Sequence, residues 1–175
     1  RRPETARELA KLAPAAPKVP VLRHGELVIW DSLAIIEYLA ELFPQARLWP
    51  DDRATRAVAR AVSAEMHSSF QTMRTDMSMD LRNRQPTPPM TPDLSADLAR
   101  VTAIWSDCRR RYGKGGKFLF GAFSAADAMY APVTTRFKTY GVTLSGEAKD
   151  YAAAVLALPA MREWHGIGAV LVLAR

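Results

Sequence analysis

Two rhythms of apolar and polar residues run along this chain. Between Lys18 and Trp30 the apolar residues fall into two short runs, Val19-Pro20-Val21-Leu22 and Leu27-Val28-Ile29-Trp30, separated by a turn through His24-Gly25. β-Branched and aromatic residues on both arms predict a β-hairpin. From there on the rhythm is helical. Asp31 and Ser32 are both suited to cap a helix whose apolar positions Ile35, Ile36, Leu39, Leu42 and Phe43 hold one face until Pro44 ends it. Residues 44–50 read as a linker. Asp51 then caps a long predicted helix in which Ala54, Ala57, Val58, Ala61, Val62, Phe70 and Met73 share an apolar face and Arg53, Arg56 and Arg60 lie outside it.

The prolines Pro86, Pro88, Pro89 and Pro92 break the chain again. The next helix has the most regular pattern: Leu94, Leu98, Val101, Trp105, Cys108 and Tyr112 form a narrow seam with alternating spacings of four and three. Gly113 to Gly121 reads as a flexible loop. Ser124-Ala125-Ala126-Asp127 has the form of a capping box, with the Ser124 hydroxyl placed to accept the residue 127 amide and the Asp127 carboxylate placed to return the bond. Its role is structural, and Phe123 with Ala128 would add a small hydrophobic staple. The helix it opens carries Pro132, which predicts a bend. A further helix runs through Tyr151 and Leu156, and Pro159 restarts one through Trp164. The pattern therefore predicts a small α+β part in residues 1–43, a linker at 44–50, and an all-helical domain over 51–175.

Composition narrows the function. Of the 175 residues, 49% are apolar and 24% charged, enough to bury a core. Basic residues number 24 against 18 acidic, a net charge of +6, and 18 of the cations are arginine, which suits an anionic ligand without naming one. No apolar run approaches the ~18–20 residues of a membrane span, and no basic-then-apolar leader opens the chain, which sets aside membrane and secretory readings. The single cysteine, Cys108, excludes an internal disulfide and points to the reducing cytoplasm. The chain opens on Arg1 rather than methionine, so the expectation is that it begins inside something longer.

Several motifs carry less than they suggest. Gly113-Lys114-Gly115-Gly116-Lys117 lacks the spacing and the Ser/Thr of a phosphate-binding loop and follows a helix rather than a strand. His24, His67 and His165 have no second ligand at a metal-binding spacing, so no metal is expected. Cys108 has Arg109, Arg110 and Arg111 beside it, yet its place on the seam reads as packing rather than nucleophile. The same arginines share their helix with Asp93, Asp97 and Asp107, a solvated face rather than a nucleic-acid surface.

Lys18-Val19-Pro20-Val21-Leu22, Asp31-Ser32-Leu33-Ala34-Ile35, Glu37-Tyr38-Leu39 and Leu48-Trp49-Pro50 resemble the second half of the glutathione-binding domain of cytosolic glutathione S-transferases. Ala64-Glu65-Met66-His67-Ser68-Ser69-Phe70 and the Ser124–Asp127 box resemble the helical domain of that family's bacterial members. The ordered series runs from about Glu4 to Trp164. The resemblance implies a partial thioredoxin-like N-terminal domain followed by the family's all-helical domain, a cytoplasmic homodimer, and glutathione as substrate, with no metal. It implies a cis bond at Pro20 that turns the Val19 amide and carbonyl toward the cysteinyl part of glutathione, as a short strand addition. Ser32 would take the γ-glutamyl carboxylate at a helix start, where free amides and the helix dipole favour an anion. Asp31 would take the ammonium, Lys18 the glycyl carboxylate, and Met66, Phe70 and Arg74 would line the pocket for a small electrophile.

The chain also departs from the family. The family's first strand, helix and second strand, with the Ser, Cys or Tyr that stabilises the glutathione thiolate, have no counterpart in residues 1–17, so no catalytic residue is assigned and that residue is expected upstream. Conjugation of the glutathione thiolate to an electrophile is then the expectation for a full-length form, with weak glutathione binding and little turnover for this chain alone. The alternative is a non-catalytic transferase-like dimerisation or interaction module. After Trp164 the glycine-broken, apolar Gly166–Arg175 tail has no counterpart in the family pattern.

Overall fold

A glycine sets the geometry of the hairpin. In this computed structural model, which describes Ala10, residues 19–81 and residues 83–173, with the backbone alone for 167–173, strands β1 (Val21–His24) and β2 (Leu27–Trp30) pair antiparallel. His24 faces Leu27, so the two-residue turn is Gly25-Glu26, one position later than the sequence predicts. Gly25 has φ +60, the left-handed value that a tight hairpin turn requires at its first central position and that a Cβ disfavours. Lys18, residues 1–17 apart from Ala10, and the last two residues of the tail lie outside the described residues.

The chain divides into two compact units, Arg1–Leu48 and Trp49–Arg175. In the first, helix α1 (Ser32–Leu42) packs on both strands, and the Tyr38 hydroxyl lies 2.6 Å from His24 Nδ1. Its N-cap is Asp31, whose carboxylate accepts from the Leu33 and Ala34 amides at 2.9 and 3.4 Å. Ser32 is the first helical residue instead of a second cap. The 44–50 segment contains a 3-10 turn, Pro44–Ala46.

The second unit is built from α2 (Arg53–Ser68), α3 (Gln71–Asp76), α4 (Pro92–Tyr112), α5 (Ala125–Thr139), α6 (Gly146–Leu156) and α7 (Pro159–Leu173). Two readings of this region are corrected. Asp52, not Asp51, caps α2, accepting from the Thr55 amide at 2.7 Å. The long predicted helix is two helices, because Phe70 takes a left-handed conformation at φ 63. The apolar pattern conceals that break: Phe70 and Met73 remain in phase and are both buried. Arg74 repairs it, its Nε donating to the Ser69 carbonyl at 3.0 Å and its Nη2 to the carbonyls of Met66 and His67. Asp97 then accepts the Met73 amide at 3.0 Å and fixes α3 to α4.

The seam on α4 faces the core as predicted, with Leu94, Leu98, Val101, Trp105 and Cys108 buried. Trp105 is enclosed by Tyr130, Phe137 and Tyr151, with ring centroids 6.0, 5.2 and 5.0 Å away. Such edge and tilted contacts add to the area that these rings remove from water. The Tyr130 hydroxyl donates to the Val62 carbonyl at 3.0 Å, joining α5 to α2. Arg100 and Glu65 form a two-bond ion pair at 2.7 and 2.8 Å between α4 and α2. Being largely solvated, that pair adds about 1 kcal/mol at most.

The 113–121 segment is built rather than flexible. Arg109 Nη1 donates to the carbonyls of Gly113, Gly116 and Phe118 at 3.2, 2.8 and 2.7 Å. Phe118 bridges to Gly121 and Phe120 to Ala122. A Cβ at Gly116 would overlap the Gly121 carbonyl. The capping box closes the loop onto α5: Asp127 Oδ2 accepts the Ser124 amide at 2.8 Å and its hydroxyl at 3.1 Å, and the reciprocal contact of the Asp127 amide is in place. Asp127 Oδ1 also accepts the amide of fully buried Leu119 at 3.0 Å. The staple is different from the one expected. Phe123 pairs with Phe118, centroids 5.3 Å apart, while Ala128 faces solvent. Helix α5 runs through Pro132, and α7 continues past Gly166 and Gly168 instead of breaking there.

Ser124→Ala is expected to cost about 1 kcal/mol of unfolding free energy. Asp127→Ala is expected to cost about 2–3 kcal/mol, since it strips a charged acceptor from buried donors. Both are read from denaturant unfolding. Burial holds the Asp127 carboxyl above its ordinary range against the opposing hydrogen bonds of Leu119 and Ser124. The native state therefore holds that proton more tightly than the unfolded chain does. The stability this adds is complete below the unfolded value of about 3.9 and is lost as pH rises through the native value. The stability difference between wild type and Asp127→Asn, measured across pH, should fall through that window.

Candidate functional site

The hairpin register builds the candidate site. Because Val21 and Trp30 form the last pair of the ladder, the residues just before β1 and just after β2 leave the hairpin at the same end. Val19 and Pro20 on one arm, and Asp31 and Ser32 on the other, therefore flank that one end. The Val19-Pro20 bond is cis, as the sequence reading expects. Val19 is 61% exposed, and its amide and carbonyl form no hydrogen bond among the described residues. That leaves one donor and one acceptor open at the strand end.

On the facing side, Asp31 and Ser32 have separate tasks. Asp31, at φ 75, uses its carboxylate to bind the two amides of the first helical turn. The Ser32 amide, as a first-turn donor, has no intrahelical acceptor. Its hydroxyl forms no hydrogen bond among the described residues. A carboxylate meeting this corner finds two donors and the positive end of α1. Asp31 also places a negative charge within reach of a cation there.

The candidates in the helical unit are placed differently. Met66 and Phe70 are 4% and 5% exposed and serve as core residues. Arg74 is half-buried, with its guanidinium on the C-terminal carbonyls of α2. Cys108 is buried, and burial pushes its thiol up to about 11. Among the described residues no group of three or more His, Cys, Asp or Glu is arranged to hold a metal ion. No described helix is long and apolar enough to cross a membrane.

Arg136 is the residue that sequence reasoning passes over. A single arginine in an apolar helix matches no motif, and its acceptor, the Met77 carbonyl, lies 59 positions away. Burial first, and the charge of Arg74 second, weaken its hold on its proton.

Comparisons with known proteins agree in both units. Residues 1–41 match the family model for the N-terminal domain of glutathione S-transferases, and residues 83–166 match the one for the C-terminal domain. Glutathione S-transferase 1 of Dianthus caryophyllus is 45% identical over 67 residues, which is 38% of this chain and 30% of that protein. A probable maleylacetoacetate isomerase of Caenorhabditis elegans is 40% identical over 82 residues, covering 47% of this chain and 38% of the relative. Glutathione S-transferase GstB of Escherichia coli K12 is 28% identical over 127 residues, covering 71% and 61%. The chain thus spans between about a third and three-fifths of the length of these relatives. In fold it is similar to a Burkholderia glutathione transferase homolog solved with bound glutathione, with a TM-score of 0.62 at 23% identity over 87% of this chain and 73% of that one. It is likewise similar to glutathione S-transferase 1-6 of Anopheles dirus, with a TM-score of 0.71 at 19% identity over 98% and 81%.

The buried thiol gives a direct check. At pH 8 a thiol-reactive disulfide should modify Cys108 in the folded chain about 100-fold more slowly than in the unfolded chain, because a thiol near 11 holds so little thiolate. Equal rates in the two states would show an exposed, activated cysteine.

Proposed function

The chain belongs to the glutathione S-transferase family, and from that premise we propose that the hairpin end formed by Val19, Pro20, Asp31 and Ser32 binds glutathione. The full-length protein then joins the glutathione thiolate to a small electrophile. The observation that carries this reading is that the Ser32 amide and hydroxyl and the Val19 main chain, at the same end of the hairpin, have no hydrogen-bond partner among the described residues.

Each group of the tripeptide meets a complementary partner. The γ-glutamyl carboxylate accepts from the Ser32 amide and hydroxyl at the positive end of α1. The ammonium is drawn to the Asp31 carboxylate. The cysteinyl amide donates to the Val19 carbonyl and its carbonyl accepts from the Val19 amide, two main-chain bonds that extend the edge of β1. Pro20, which lacks an N–H, leaves that geometry without a competing donor. Lys18 is assigned the glycyl carboxylate. Held at three points, the tripeptide keeps its sulfur in one place, and an electrophile delivered there reacts from a fixed orientation. The sulfur loses its proton to solvent and forms the new bond to the electrophile's carbon, which either expels its leaving group with the bonding pair or, as an activated double bond, takes up the pair and a proton from water. Activation of the thiol is assigned to no residue of this chain. The reading includes a homodimer in the cytoplasm.

The division between cap and binding group supplies the test. Ser32 does not cap α1, so Ser32→Ala should leave the helix content unchanged by circular dichroism and reduce retention on immobilised glutathione about tenfold or more. Asp31→Ala should lower both, costing about 1 kcal/mol of stability through the lost cap. If wild type passes through the glutathione resin while remaining a folded dimer by light scattering, the chain is an interaction module instead.

A further inference from the structure

A reversal of the chain after α5 builds a cleft within the helical unit. Gly141 takes φ +67, the left-handed value that commonly follows a helix end. The Val142 amide then donates back to the Phe137 carbonyl at 2.9 Å, the bond that closes such a turn. Residues 142–144 are thereby folded back beside Phe137 before the chain enters α6. Between α5, this turn and α6 lies a cavity of about 380 Å³, within the range of roughly 300–1,000 Å³ that small-molecule sites occupy.

The floor of the cleft is apolar and its rim is basic. Phe137, 2% exposed and held against Trp105 at 5.2 Å, forms the floor with Val142 and Leu144. On α6, Lys149, Ala152 and Leu156 follow at intervals of three and four, so one helix face supplies both a cation and an apolar wall. Lys138, near the end of α5, brings a second cation to the same cleft. Both lysines are exposed, and neither forms an ion pair among the described residues. No acidic residue lines the cleft: Glu147 is not part of its wall, and Asp150 lies in a neighbouring cleft with Arg109 and Lys117. A third cation, Arg84, is held at the same helix end, its Nη1 donating to the Lys138 carbonyl at 2.6 Å.

We propose that this cleft binds a phosphate monoester with an apolar body, the phosphate between Lys138 and Lys149 and the body against Phe137, Leu144 and Leu156. The charge balance selects that class. A phosphate monoester carries about −1.5 to −2 at pH 7 and three strong acceptor oxygens, so one group meets two ammonium groups, each a compact charge with three donors. A carboxylate answers only one of them. The apolar floor favours a ligand with a body to remove from water, which inorganic phosphate lacks. Every residue invoked lies between positions 137 and 156, so the site does not rest on the transferase reading or on the hairpin.

The full chain is titrated calorimetrically with 1-naphthyl phosphate, 1-naphthol, 1-naphthoate and inorganic phosphate. The ester should bind saturably at one site per chain, about tenfold or more tightly than naphthol, which lacks the charge, or inorganic phosphate, which lacks the body. 1-Naphthoate, with the same rings and a single charge, should bind about fivefold more weakly than the ester. Lys138→Ala and Lys149→Ala should each lower the ester's affinity about tenfold, and added salt should weaken it. Lys117→Ala, which removes an exposed lysine from the neighbouring cleft, should change it less than about twofold. Circular dichroism checks that the variants are folded, and the comparison of ligands on wild type decides by itself should one fail to fold. No saturable binding of the ester, equal binding of naphthol, naphthoate or inorganic phosphate, or folded variants at positions 138 and 149 that bind no worse than Lys117→Ala would overturn the proposal.

Discussion

One buried carboxylate organises the larger unit of this protein. Asp127 is inaccessible to solvent, and its two oxygens receive the Ser124 amide and hydroxyl and the Leu119 amide. A charge so placed is tolerated only because donors surround it. Those donors come from a loop that lacks a regular ladder of its own. Arg109 gathers the same loop from the opposite side through three carbonyls, so a cation collects its acceptors and an anion its donors. The fully buried Tyr151 lies close enough to Asp127 that burial first, and the neighbouring carboxylate second, hold its phenol pKa well above the ordinary value. The rings packed edge-on and tilted around Trp105 thus meet the capping box through Tyr151.

The smaller unit depends on register in place of burial. None of the residues of α1 is fully buried, and the hairpin has only two strands. Its functional interest comes from the Val21–Trp30 pair, which fixes where the flanking residues meet. Asp31 is held at a positive φ, a conformation costly for a residue with a Cβ. Its carboxylate compensates by binding two first-turn amides. With those amides occupied, the open donors of the helix start are concentrated on Ser32.

Local chemistry made most of this legible in the sequence. The capping box, the α4 seam and the buried Cys108 each follow from residues within a few positions of one another, whereas the cis bond before β1 was legible through the family resemblance that Lys18–Leu22 carries. What escaped the sequence was set at longer range or hidden by periodicity. Phe70 keeps helical phase while its backbone leaves the helix, so no count of apolar positions reveals the break. The loop at 113–121 is rich in glycine, the usual mark of freedom, yet its order comes from Arg109 and from an aspartate that follows it. Met66 and Phe70 have the spacing of a pocket wall and of a core stripe alike, and burial puts them in the core. Arg136 was invisible because its acceptor, the Met77 carbonyl, lies far away in sequence.

The cross-strand pair of Val21 and Trp30 also gives the hairpin end an optical marker. Trp30 is 49% exposed and Trp164 38% exposed, whereas Trp49 is 6% exposed beneath the Arg60 guanidinium and Trp105 is wholly enclosed. Indole emission shifts to the red in water and to the blue in an apolar interior, so the blue side reports the packing around Trp49 and Trp105 while the red side combines Trp30 with Trp164. Replacing Trp164 by phenylalanine leaves the red side to the indole that precedes Asp31 and Ser32, where a bound tripeptide would exclude water from the ring. One emission spectrum of that variant then carries separate signals for occupancy of the hairpin end and for integrity of the helical core.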